Sequence, residues 1–174
     1  MIPFTLVTTL LSMLILGVFI ILGVRKFGVQ FSYSTYAPLW GEAYPIHNVN
    51  LWSAMTTVAA LLLVPGLIER AADSPIQCFG FLAPIYLVVV AMTPKYRTNQ
   101  VQCIVHITAA LVCGVAFLVY CILGLHMWYV PAIFVSLFAL VALATNTEKT
   151  SWVLWLECAM FSSAYATIYL GGLV

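Results

Sequence analysis

The stretch FTLVTTLLSMLILGVFIILG, Phe4 to Gly23, runs for twenty residues without a charge, and Arg25 and Lys26 stand just beyond it. A bilayer's hydrocarbon core is about 30 Å thick, which asks for roughly 20 apolar residues in a helix rising about 1.5 Å per residue. The stretch therefore reads as a membrane-crossing helix. No basic residue precedes it, so it is expected to be a retained first helix and not a cleaved signal peptide.

Five further apolar runs follow. Together they predict an all-α polytopic membrane protein, a six-transmembrane-helix bundle forming one integral domain over residues 1–174. The helices are expected near 4–23, 51–68, 76–92, 101–124, 127–144 and 151–173. Composition agrees: 64% of residues are hydrophobic, 6% are charged and the mean hydropathy is +1.11, far from a soluble domain. The formal net charge of +1 offers no nucleic-acid footprint. Partners are expected in the bilayer: lipid, a small polar solute or ion, and a second copy of the chain. The five cysteines lack CxxC spacing and read as buried free thiols. No internal repeat or phosphate-binding glycine loop is present.

Basic residues set the orientation. Arg25 and Lys26 follow helix one, Lys95 and Arg97 follow helix three, and Lys149 follows helix five, whereas the even-numbered connections offer only Arg70. The positive-inside rule then places both termini outside the cytoplasm. The first connection, Arg25 to Asn50, is long and carries Phe27, Phe31, Tyr33, Tyr36, Trp40 and Tyr44. Such rings favour the headgroup boundary, so this loop is expected along the membrane surface or folded partly back into the bundle.

Glu157 stands inside WVLWLECAMF, Trp152 to Phe161, about 9 Å into the last helix. A carboxylate there costs about 2.5 kcal/mol or more and calls for a partner. His106, at matching depth on helix four, is the expected one. It shares a helical stripe with Asn99, Gln102, Cys103, Ala110 and Cys113, and helix two presents Asn50, Ser53, Thr57 and Ala60. Thr5, Thr8, Thr9 and Ser12 on helix one supply polar groups at the opposite end. His126 reads as interfacial, and Glu69, Arg70 and Asp73 as a solvated turn.

The leading functional expectation is a channel or transporter for a small polar solute, a cation or a proton. Glu157 and His106 would act as an intramembrane pair, with Ser53, Thr57, Gln102 and Asn99 along the path. An alternative is a lipid-active enzyme using His106 or Glu157 as general base, a hydrolase if a metal binds. His47, Glu42, His106 and Glu157 would then suit zinc, although no HxxxH or HExxH spacing is present. A third is an accessory subunit whose polar faces serve assembly. No cofactor is otherwise expected.

SWVLWLECAMFSSAY, Val105-His106 and FSYSTYAPLW together resemble small polytopic proteins encoded in gut Bacteroidetes genomes and their mobile elements. That resemblance implies a bacterial inner membrane and brings no activity. The architecture is also similar to the six-helix acid-gated urea and amide channels, which have both termini outside and a glutamate among aromatics in the last helix. Glu157, Trp152 and Trp155 are the counterparts in kind. The tryptophan-rich fifth helix of those channels is missing, since Trp128 alone stands at the edge of helix five here.

Overall fold

The computed structural model describes residues 4–44, 50–144 and 152–170, and among these all regular structure is helical. The helices are α1 (Phe4–Phe27), α2 (Tyr36–Ala43), α3 (Leu51–Arg70), α4 (Gln77–Ala91), α5 (Gln100–Val119), α6 (Tyr129–Ala144) and α7 (Trp152–Leu170). A 3₁₀ turn, Tyr33–Thr35, leads into α2, and a π-helical turn, Tyr120–Gly124, prolongs α5. All six expected helices are present within a few residues of their predicted ends, and α2 is an additional one. His47 and Lys149 lie outside the described residues.

Four helices, α1, α3, α5 with its π turn, and α7, are long and apolar enough to cross a membrane. α4 and α6, with 15 and 16 residues, are shorter. At about 1.5 Å per residue they reach roughly 22 and 24 Å. Proline helps to end α4, because Pro94 disfavours helical geometry at Thr93. The outer surface is hydrocarbon-like: Ile104, Ile107, Leu111, Val115 and Leu118 recur on one face of α5, and all are exposed. A water-facing helix would leave that apolar stripe unpaid for, whereas lipid tails match it.

The helices pack as consecutive neighbours, α1 on α3, α3 on α4, α4 on α5 and α6 on α7, while α7 also meets α1 and α3. Two glycines set how closely they approach. A Cβ at Gly66 of α3 would lie 2.5 Å from Thr9 Oγ1 and 3.0 Å from Ile168, so α1, α3 and α7 meet there at backbone range. At Gly80 of α4 a Cβ would lie 2.6 Å from the Tyr120 ring. That space lets Tyr120, fully buried, donate its hydroxyl to the Leu67 carbonyl at 2.6 Å.

Leu67 lies in the last turn of α3, where carbonyls have no intrahelical donor. Its neighbour Ile68 is met in the same way by the Gln77 side-chain amide at 2.9 Å. Tyr120→Phe is expected to destabilise the bundle by about 1–3 kcal/mol by orphaning the Leu67 carbonyl. Denaturant unfolding in detergent micelles measures it, and an unchanged midpoint would show that the carbonyl has another donor.

The middle of the first connection is core, while Phe31 and Tyr44 on either side of it are exposed. Tyr33, Tyr36, Ala37 and Trp40 are all buried. Tyr36 enters because α1 has glycine opposite it: a Cβ at Gly23 would lie 3.1 Å from its ring. Its hydroxyl donates to the Gly28 carbonyl at 2.9 Å, where the chain turns through a positive φ of 74°. Residues 32–40 thus fold back into the bundle, since burying their rings removes more apolar surface from water than laying them on an interface.

Candidate functional site

Glu157 and His106 are not partners. Among the described residues no hydrogen bond joins them; each is held by a different piece of chain. Glu157 Oε2 accepts the Tyr33 backbone N–H at 2.6 Å, and the Phe31 carbonyl accepts the Leu154 N–H at 3.0 Å. Residues 31–33 thus run along the first turns of α7, satisfying one of its orphan N–H groups while the helix's carboxylate satisfies theirs. Matching depth along their helices points to His106 as the partner of Glu157. The folded-back loop supplies the donor instead, the Tyr33 backbone N–H.

Tyr33 is the hub. Its hydroxyl shares a hydrogen bond with Thr56 of α3 at 2.9 Å, and its ring lies 5.2 Å from Trp52 and 5.8 Å from Phe161. Burial keeps the phenol protonated well above its usual range; the Thr56 bond opposes this, while nearby Tyr165 and Glu157 add to it. It therefore serves as a neutral donor and acceptor.

Beside Tyr33 the turn carries three buried hydroxyls. Ser32 Oγ lies 2.9 Å from Ser34 Oγ and 3.1 Å from Thr35 Oγ1. From the connection after α4, Arg97 Nη2 donates to Thr35 Oγ1 at 3.1 Å and Ser34 donates to the Tyr96 hydroxyl at 3.4 Å. Burial pushes the Tyr96 phenol up, but the donors Ser34, Thr35 and Arg97 outweigh it and hold the group below its usual value. The Tyr96 ring stacks on His106 at 4.1 Å and 10°.

His106 is buried, and its Nδ1 lies 2.8 Å from Thr93 Oγ1. Thr93 Oγ1 also lies 2.8 Å from the Val90 carbonyl, so the hydroxyl bridges that carbonyl and the imidazole. Glu157 and His106 thus belong to one polar cluster, joined by the Ser32–Thr35 turn and not by direct contact.

Other expected positions are redistributed. Asn99 caps α5 by accepting the Gln102 N–H at 3.1 Å, and the Gln102 side chain accepts the Lys95 N–H at 3.0 Å, so both shape the α4–α5 connection. Ala110, assigned to the inward stripe, faces outward; the buried line on α5 is His106, Ala109, Ala116 and Phe117. On α3 the fully buried threonine is Thr56 and not Thr57, because the inward face follows Trp52, Ala59 and Leu63. Ser53 keeps a buried Oγ with no hydrogen-bond partner, as does Trp52 Nε1. Glu42 is exposed, and no group of three His, Cys, Asp or Glu converges among the described residues. The predicted zinc set is therefore not brought together by Glu42, His106 and Glu157. His126, Asp73 and, near the end of α3, Glu69 are exposed.

Of the polar residues on α1, Ser12 is the one hydrogen-bonded to other helices among the described residues. Ser12 Oγ donates to the Ala59 carbonyl at 2.6 Å and lies 3.0 Å from the Tyr165 hydroxyl of α7. Thr9, fully buried, donates to the Thr5 carbonyl at 2.7 Å and faces Gly66. From Thr56 to Gly66 this series covers about 15 Å along α3, half of a hydrocarbon core. Tyr33 is expected from the sequence only as one of the loop's interfacial rings, and Tyr165 carries no expectation of its own. A tyrosine in an apolar run looks like packing, and only the fold shows its hydroxyl bonded inside.

No family model matches this chain, and no curated protein or solved structure matches it.

Proposed function

We propose that the protein is a small membrane transporter or channel that carries protons, alone or with a small polar solute or cation, along the α1–α3–α7 interface. The observation that carries this reading is Glu157: a carboxylate with no cationic partner among the described residues, set at the head of the series Tyr33–Thr56, Ser12–Tyr165 and Thr9. A carboxylate kept in an apolar helix without neutralisation is costly, and such groups mark ion and proton routes.

Close packing favours the proton as the moving species. Thr9, Ser12 and Thr56 are all fully buried, and a proton passes between hydroxyls without needing an open bore. The orphaned Trp52 Nε1 and Ser53 Oγ, one turn before Thr56, add polar capacity that the chain itself does not satisfy. A water or a small solute with a hydrogen-bond acceptor fits that need.

In this reading α4 and α6 complete six crossings, with local thinning of the bilayer meeting their shortfall in length. The Arg97–Thr35 bond joins the first and third connections at one end of the bundle, which accords with the alternation of helices. In the same reading this end faces the cytoplasm and the termini lie outside, in a bacterial inner membrane; the basic residues Arg25, Lys26, Lys95 and Arg97 of those connections support the orientation.

The test is flux in liposomes across a range of pH, with proton, cation and small-amide arms, comparing the wild type with Glu157→Gln. Glutamine retains an oxygen that accepts the Tyr33 N–H, so the fold is expected to persist while the titrating group is lost. The expected result is a fall to vesicle leak with an unchanged melting temperature. Equal flux from both proteins would remove Glu157 from the path. No flux from either would overturn the transport reading in favour of lipid chemistry or an accessory role.

A further inference from the structure

The end of α1 holds a second constellation, which does not depend on the transport reading. The Lys26 ammonium lies 4.0 Å from the centre of the Tyr44 ring, 5.4 Å from that of Phe27 and 5.6 Å from that of Trp40. The walls are organised before any cation is considered. Trp40 is buried against Phe19 at 5.2 Å, stacks on Tyr44 at 5.5 Å and 24°, and meets Phe27 edge-on at 5.3 Å and 88°. Three rings around one ammonium form an aromatic cage, the arrangement by which proteins hold quaternary ammonium groups.

We propose that Phe27, Trp40 and Tyr44 form a binding site for a quaternary ammonium group, the headgroup of a choline phospholipid or a free cation of that kind, and that Lys26 occupies it as an internal stand-in. Position supports the assignment. The apolar stretch of α1 ends at Gly23, three residues before Lys26, so the cage lies where a hydrocarbon core gives way to headgroups. Charge supports it too. Arg25 and Lys26 are exposed side by side, and a lysine displaced from the cage stays within reach of the phosphate that a choline headgroup carries.

A trimethylammonium group is the better ligand for such walls. It presents methyl groups to all three rings and sheds little hydration, whereas the primary ammonium of lysine is strongly hydrated. Lysine holds the position because it is tethered there, an advantage of effective concentration and not of fit.

The experiment titrates tetramethylammonium chloride into the protein in a maltoside detergent, with sodium chloride at equal ionic strength as control. The Trp40 indole ¹⁵N–H resonance, identified by its loss in Trp40→Phe, is followed. Lys26→Ala is expected to bind about tenfold more tightly than the wild type because the competitor is gone. Tyr44→Ala is expected to lose binding; Tyr44 is 43% exposed, so its removal leaves the core intact. A second arm compares nanodiscs of phosphatidylcholine with nanodiscs of phosphatidylglycerol. A Trp40 shift specific to the choline lipid assigns the headgroup as ligand, and a response to tetramethylammonium alone assigns a free cation. No Trp40 response in Lys26→Ala, or the same affinity in Tyr44→Ala as in the wild type, would overturn the proposal.

Discussion

Gly66→Val is expected to destabilise the bundle by about 3 kcal/mol or more, at the upper end of what overpacking costs. A Cβ there meets Thr9 Oγ1 at 2.5 Å and Ile168 side-chain carbons at 3.0 and 3.1 Å. None of these neighbours yields easily. Thr9 is tied to the Thr5 carbonyl at 2.7 Å, and both Thr9 and Ile168 are buried. The relief is to move α1 or α7 away from α3, which opens the Ser12 contacts to Ala59 and Tyr165 one to two turns further along. Gly17→Ala is the control. Nothing lies within 4 Å of a Cβ at that position, so the gain in helix propensity is expected to stabilise by up to about 1 kcal/mol. Denaturant midpoints in micelles read both, and the same small change in the two variants would refute the close three-helix approach.

Tyr33→Ala is the second large effect, an expected loss of about 3–5 kcal/mol, the range for deleting a buried aromatic side chain. It empties the space between Trp52 and Phe161 and leaves the Thr56 hydroxyl without the Tyr33 partner. Tyr33→Phe separates the two contributions. The ring contacts remain and only the hydroxyl pair is lost, so the expected cost is about 1 kcal/mol. The backbone N–H to Glu157 persists in both variants. If transport uses the Tyr33 hydroxyl, Tyr33→Phe lowers flux at nearly native stability. Equal stabilities for Ala and Phe would show that the loop is not packed as a core element.

The helices were legible because their signal is local. Uninterrupted apolar runs, bounded by Arg25-Lys26, Asn50 and Asn99, fix helix positions regardless of neighbours, and the two asparagines do cap α3 and α5. The faces were less legible. Polar and small residues suggest a stripe through Ala110 on α5, but inwardness in a membrane bundle follows packing partners, so Ala110 faces out while Ala109 and Phe117 face in. α2 is not legible in the sequence, because its eight residues, with a proline and a glycine, carry little helical signal of their own.

The sequence by itself determined that this is a helical chain with apolar helices fit for a membrane, and that Glu157 needs a partner. Local composition suffices for both, since burial cost and helix length are properties of single segments. Only the tertiary structure decided the partner. Depth along two helices says nothing of which faces meet or what a loop of some two dozen residues will do between them. Here that loop enters the bundle, gives Glu157 a backbone N–H, and leaves His106 to Thr93 and Tyr96. The physical reason is that rings and backbone donors of the same short segment are satisfied together by folding inward.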